Sequence, residues 1–151
     1  MSVQYTYMYA FHTREMDLNA MKKLFTLEQQ QHHFNIGKDA FLNGRYDEAE
    51  MHLRLVIESS FQNNDYHTYV SALIYLNRAF INTGQIQEIY TSLLILQSLI
   101  EQYGTKEDYF FYKLQDAIFN NYYSIGDAVQ QLEHLFDEVL QVKDVIWSLS
   151  Q

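Results

Sequence analysis

Residues 41–50 read Phe41-Leu42-Asn43-Gly44-Arg45-Tyr46-Asp47-Glu48-Ala49-Glu50. A glycine follows large apolar residues and precedes an aromatic, an acidic pair and an alanine. Glycine enters the left-handed region cheaply, so it commonly ends a helix at such a place. Acids directly after it suit the first turn of a new helix, where they meet the positive end of the dipole. The stretch therefore reads as a corner between two helices. The question is whether it occurs once or recurs.

It recurs. Gly84 follows Phe80-Ile81-Asn82-Thr83, and Gly126 follows Tyr122-Tyr123-Ser124-Ile125, so the three glycines are nearly evenly spaced. The stretch after each glycine has helical apolar spacing. Tyr46, Ala49, Leu53, Val56, Ile57 and Ser60 share one face. Ile86, Ile89, Leu93, Leu96 and Ile100 share another, and Leu132, Leu135, Phe136, Val139, Val142 and Ile146 a third. Helix starts precede each glycine at similar distances. Thr26 and Gln29 have capping-box spacing, Thr105 and Asp108 form a weaker version, and Asp65 can cap by itself. First helices are expected over about 27–43, 66–83 and 106–125. Asn63-Asn64 and Gly104-Thr105 serve as connectors between hairpins. A glycine period of roughly 40 residues means an array of helical hairpins.

Composition agrees. The 151 residues suit one domain, and the 48 % apolar content suffices for a core. Proline is absent and only five glycines occur, so little interrupts helix. The thirteen tyrosines and ten phenylalanines are large enough to fill space between helices. The expectation is an all-α array of about three antiparallel hairpins, over about 26–64, 65–104 and 105–149, within a single domain 1–151. An extra N-terminal helix covers about 3–25.

Charge narrows the partners. Nineteen acids against ten Lys and Arg give a net charge of −9, which opposes a polyanionic nucleic acid or an anionic membrane surface. No cysteine is present for a disulfide or thiolate site. No run of apolar residues approaches the roughly 20 needed to span a bilayer. A cytoplasmic location is expected.

Catalytic motifs are lacking: there is no G-x-S-x-G, no phosphate-binding glycine loop and no H-E-x-x-H. His32 and His33 are adjacent, so on a helix they diverge by about 100° and chelate poorly. Glu48 and His52 are four residues apart and could share a metal, but a solvated pair explains them. A non-enzymatic chain with neither cofactor nor metal is expected, ahead of an all-α enzyme or metalloprotein.

The run Ile36-Gly37, Ala40, Gly44, Tyr46, Ala49, continuing to Leu53 and Val56, resembles the tetratricopeptide repeat. Leu76, Phe80, Gly84, Ile86, Leu93 and Leu96 repeat part of the pattern, with Asn77 at the glycine position and Ile89 at the alanine. Ile118, Tyr122 and Gly126 repeat less of it. The resemblance covers roughly residues 27–148, at a longer period than the family's own of about 34 residues. It implies a right-handed solenoid whose first helices line a binding groove. Carried over position by position, the groove would show Phe34, Lys38 and Phe41, then Ile74, Arg78 and Ile81, then Asp116, Asn120 and Tyr123. Lys38, Arg78 and Asn120 stand at the same distance before their corner glycines and would form a row able to hold a peptide carboxylate or backbone. Asn77 and Asn82 are subsidiary candidates.

By the same resemblance, longer-period arrays of this kind serve as regulatory or sensor segments of bacterial signalling proteins. Their outputs include diguanylate cyclases and transcription regulators. A stand-alone peptide receptor or a dimeric scaffold is the alternative. The aromatic N-terminus, with Tyr5 and Tyr9, and the apolar C-terminus, with Ile146 and Trp147, are expected to meet a second copy or an attached output domain, because a solenoid's last helix needs a polar outer face.

Overall fold

The computed structural model describes residues 25–123 and 132–143. Five helices follow one another: α1 Leu27–Leu42, α2 Tyr46–Gln62, α3 Tyr66–Thr83, α4 Ile86–Tyr103 and α5 Lys106–Tyr123. A sixth, α6, covers 132–143. No strand occurs among the described residues. The fold is all-α, and its antiparallel hairpins follow the expected order. The expected helix at 3–25 and the corner at Gly126 lie outside the described residues.

The helix starts are built as their sequences dictate. Thr26 and Gln29 cap each other's backbone N–H groups reciprocally, at 2.9 and 3.1 Å. Asp65 accepts from the Thr68 N–H at 3.3 Å. Thr105 and Asp108 form the same reciprocal pair at 3.0 Å each.

The corners hold a regularity that glycine spacing alone conceals. Gly44 and Gly84 lie at φ 76° and 72°, and Asn64 joins them at φ 55°. The residues that follow, Arg45, Asp65 and Gln85, share one conformation, with φ between −90° and −84° and ψ between 72° and 76°. Their N–H groups donate to the carbonyls of Ala40, Ser60 and Phe80 at 2.8, 2.8 and 3.0 Å. This six-to-one bond belongs to the Schellman motif, which satisfies an orphan carbonyl at the helix end. Asn64, read from sequence as a connector between hairpins, is thus the same corner as Gly44 and Gly84. Asparagine tolerates the left-handed region better than other side chains. The repeating element is one helix plus one corner, half the unit that the glycines alone mark out.

Gly104 stands at the next interval but does not continue the series. Its backbone is extended, with φ −81° and ψ 151°. Its N–H donates to the Ile100 carbonyl at 2.9 Å.

Packing centres on α3, which lies against α1, α2, α4 and α5. Its Tyr69, Leu73, Ile74, Leu76 and Phe80 are fully buried, together with Leu53, Val56 and Ile57 of α2 and Ile95 and Leu96 of α4. Small residues set the helix approach: Ala40, Ala49 and Ala72 are inaccessible to solvent. A methyl group on Gly37 would come within 2.8 Å of Leu53 Cγ, so α1 and α2 cross there as closely as a glycine allows.

Polar side chains pin the odd-numbered helices to their neighbours. The Ser59 hydroxyl donates to Gln30 Oε1 at 2.8 Å, and Gln30 Nε2 donates to Asp65 Oδ2 at 3.0 Å. Between α3 and α5, the Ser71 hydroxyl donates to Asp108 at 2.8 Å and Asn77 Nδ2 to Gln115 Oε1 at 2.7 Å. Gln115 Nε2 in turn donates to the Ile74 carbonyl at 3.2 Å. Gln30, Ser59, Asn77 and Gln115 are all buried, where such bonds are costly to lose.

Two expected core stripes are corrected. Ile86 is 43 % exposed, because it opens α4 beyond the reach of α3. On α6, Leu135 is buried and borders a cleft with Tyr109, Lys113 and Asp116 of α5. Phe136 is 70 % exposed and Val142 is exposed too. Phe136 follows Leu135 directly, so a helix sends the two side chains about 100° apart and one cannot follow the other inward.

Candidate functional site

Residues 34, 38 and 41 share one face of α1, and residues 75, 78 and 82 one face of α3, by the three-and-four spacing of a helix. The contact of α1 with α3, and of α3 with α5, brings these faces together. A continuous ladder of rings and cations results. The Lys38 ammonium lies 4.6 Å from the centre of the Phe34 ring. Phe34 and Phe41 each meet Tyr75 edge-on, at 6.1 and 6.0 Å between centroids. The Arg78 guanidinium lies 4.1 Å from the Phe111 ring, 4.7 Å from Phe41 and 5.1 Å from Tyr75. Phe111 meets Phe110 edge-on at 5.4 Å.

Arg78 is thus held by three rings from three helices. Each such contact contributes about 0.5–1 kcal/mol when exposed and more when desolvated. Among the described residues neither Lys38 nor Arg78 has an ion-pair partner. Other cations of the chain do: Arg45 meets Asp39 at 3.1 Å and Glu48 at 3.4 Å, and Arg54 meets Glu50 at 3.0 Å. Stacking occupies the faces of a guanidinium and leaves its in-plane N–H groups for an acceptor.

Beside Arg78 is a depression of about 190 Å³. Phe41, Ile81, Phe111, Leu114 and Ile118 make its apolar walls, and Arg78 and Asn82 supply polar edges. Gln115 also borders it, with its amide engaged by Asn77 and Ile74. A cavity of comparable size lined by such residues accepts a group as large as benzene.

The expected row is only partly assembled. Lys38 and Arg78 belong to one ladder. Asn120 does not join them: it borders a separate depression between α4 and α5, with Tyr90, Tyr112 and Asp116. The side chain of Tyr123 lies outside the described residues, as do Tyr5, Tyr9, Ile146 and Trp147. Asn77 is fully buried and spends its amide on Gln115, so it is scaffold rather than ligand-binding surface. Ile74 is likewise core. Asn82 is exposed, and its Nδ2 donates to the Arg78 carbonyl at 2.8 Å.

The misplaced position has a definite cause. Counting back from Gly126 points to Asn120. Keeping the interval between Gly44 and Gly84 points from Lys38 and Arg78 to Ile118, and from Phe34 and Ile74 to Leu114. Those two side chains do border the Arg78 depression. The repeat pattern marks neither Tyr75 nor Phe111. Tyr75 could have been found, since it precedes Arg78 by one helical turn. Phe111 arrives from α5, two helices further along the chain, and no local pattern marks it.

On α5, burial shifts two titratable groups. Burial raises the Asp116 carboxyl above the usual range, and Lys113 opposes the rise. Burial, with Asp116 and Tyr109 adding to it, pushes the Tyr112 phenol up to about 12. Among the described residues no group of three or more His, Cys, Asp or Glu is placed to hold a metal ion. None of the described helices is long and apolar enough to cross a membrane. Comparison with protein-family models, curated proteins and solved structures returns no match.

Proposed function

We propose that the chain is a non-catalytic, helical-repeat interaction module that binds a peptide across α1, α3 and α5, with Arg78 as the anchor for a carboxylate. The observation that carries this reading is an arginine braced by three aromatic rings, beside an apolar depression, with no acid bonded to it among the described residues. The rings brace the guanidinium through its faces, and its in-plane N–H groups can receive an outside carboxylate. Lys38, further along the ladder, offers a second point charge. The favoured ligand is an extended segment that pairs an acidic group with a large apolar side chain for the depression.

The likeness to tetratricopeptide repeats supports the same reading and extends it to a role as the regulatory segment of a bacterial signalling protein. That extension rests on resemblance of fold, from which function does not follow by itself.

Titration calorimetry against peptides combining acidic and apolar residues tests the site. Arg78→Ala is expected to weaken binding by about 1.5–3 kcal/mol, the worth of a charge-assisted hydrogen bond. Arg78→Lys recovers only part, because an ammonium does not reproduce the planar fork. Equal binding by all three proteins would remove Arg78 from the site.

A further inference from the structure

His33 on α1 and His52 on α2 approach through their Nδ1 atoms, 2.9 Å apart. Their ring centres are 5.2 Å apart and their planes differ by 25°. For two imidazoles with that nitrogen–nitrogen distance, the centres can be hardly farther apart than this. Both centres and both nitrogens therefore lie close to one line. The rings meet tip to tip, near-coplanar, rather than face on face. Tetrahedral zinc, with Zn–N bonds of about 2.0–2.1 Å, needs its lone pairs inclined to one another and its nitrogens farther apart than the 2.9 Å seen here. The two facing nitrogens suit a single proton shared along the axis.

We propose that His33 and His52 form a proton-sharing latch between α1 and α2, which accommodates one proton between the rings and opens when a second is forced in. With both rings neutral, one Nδ1–H donates to the other Nδ1. A first added proton enters at the outer nitrogen of the donor ring and preserves the bond, since imidazolium is the stronger donor. A second places N–H groups and positive charges head to head, and the bond is lost.

Among the described residues no acid offsets the charge of the doubly protonated form. His32, on the same helix, meets His33 edge-on at 5.8 Å and adds a third titratable ring. Phe25 covers His33 from the chain entering α1, at 4.8 Å. Among the described residues neither imidazole has an ion-pair partner. Glu48, one turn before His52 on α2, is engaged by Arg45 at 3.4 Å. Burial, then His52, then His32 hold His33 below the ordinary histidine value. The sign follows from linkage. A folded-state value depressed below the unfolded one contributes stability that is present above about pH 6.5 and lost as pH falls through the folded value.

Place and fold agree. Gly37, one turn beyond His33, lies where α1 meets α2 too closely for a side chain, and its missing methyl would lie 3.5 Å from His52 Cβ. The latch therefore fastens the half of α1 that precedes the crossing.

Long-range proton–nitrogen NMR of the histidines in the intact chain, from about pH 8 to 5, tests the latch directly. The expected spectrum has one Nδ1-protonated and one Nδ1-free ring in the pair at high pH, with the final protonation displaced below the ordinary histidine range. Urea unfolding over the same range supplies a second test. The unfolding constant of the wild type should rise by up to about tenfold per pH unit below about pH 6.5. His52→Leu, which cannot share a proton, should flatten that dependence. Two rings titrating independently in the ordinary range, or an unchanged pH slope in His52→Leu, would overturn the latch.

Discussion

The corners at Gly44, Asn64 and Gly84 and the corner at Gly104 solve the same problem by different means. At the first three, one residue in the left-handed region and one six-to-one hydrogen bond turn the chain back on itself. Everything needed is local to the corner. At Gly104 the backbone leaves α4 extended, and the turn itself does not dictate where α5 goes. Its direction comes from distant partners: Ser71 bonded to Asp108, and Asn77 and the Ile74 carbonyl bonded to Gln115. The corners between the first four helices set the turn locally, whereas at the fifth only tertiary contacts set the direction. The candidate binding face straddles both regimes, because Phe41 and Tyr75 come from the first and Phe111 from the second.

Substitutions at the corners can break that contrast. The largest effect is expected at Gly104, where an added Cβ would lie 2.7 Å from the Ile100 carbonyl oxygen and 2.6 Å from Ile100 Cδ1. Crowding against backbone cannot be relieved by a rotamer change, so Gly104→Ala should cost about 2–3 kcal/mol in urea unfolding. Gly104→Asn should be no better. A cost below about 1 kcal/mol would mean that this corner adjusts freely. At Gly84 nothing approaches the missing Cβ, and the penalty is conformational only. There Gly84→Ala should cost about 1–2 kcal/mol, and Gly84→Asn should recover at least half of that. Equal costs for Ala and Asn would refute a shared left-handed mechanism. The smallest effect belongs to Asn64→Gly, expected to stay within about 0.5 kcal/mol of wild type because either residue accepts φ 55°. A larger loss would show that the asparagine side chain, which accepts from the Tyr66 hydroxyl at 3.4 Å, matters more than its backbone.

The same division explains what could be read from the residues alone. Caps and left-handed glycines are local devices, so Thr26, Asp65, Thr105, Gly44 and Gly84 announced the helix ends. Asn64 stayed hidden because an asparagine beside an aspartate reads equally well as a cap or a loop. The register of α5 is fixed by partners 37 to 41 residues away in sequence, and only the interval between Gly44 and Gly84, carried forward, points to it. Aligning on Gly126 instead displaced the third groove position from Ile118 to Asn120. Arg78 was found as a repeat position, but its three rings are a property of three helices at once. The His33–His52 pair escaped for the same reason, since two histidines on different helices carry no recognisable spacing.

One consequence concerns how damage spreads. In a strictly linear stack each layer leans only on the next, and a lesion at one end leaves the other intact. Here α3 lies against four other helices and supplies Tyr75 and Arg78 to the ladder. As the first helix of the middle hairpin it touches both flanking hairpins, so it is the layer the others lean on. A fault in α1 or α5 can fray an edge, whereas a fault in α3 takes the core and the candidate binding face down together.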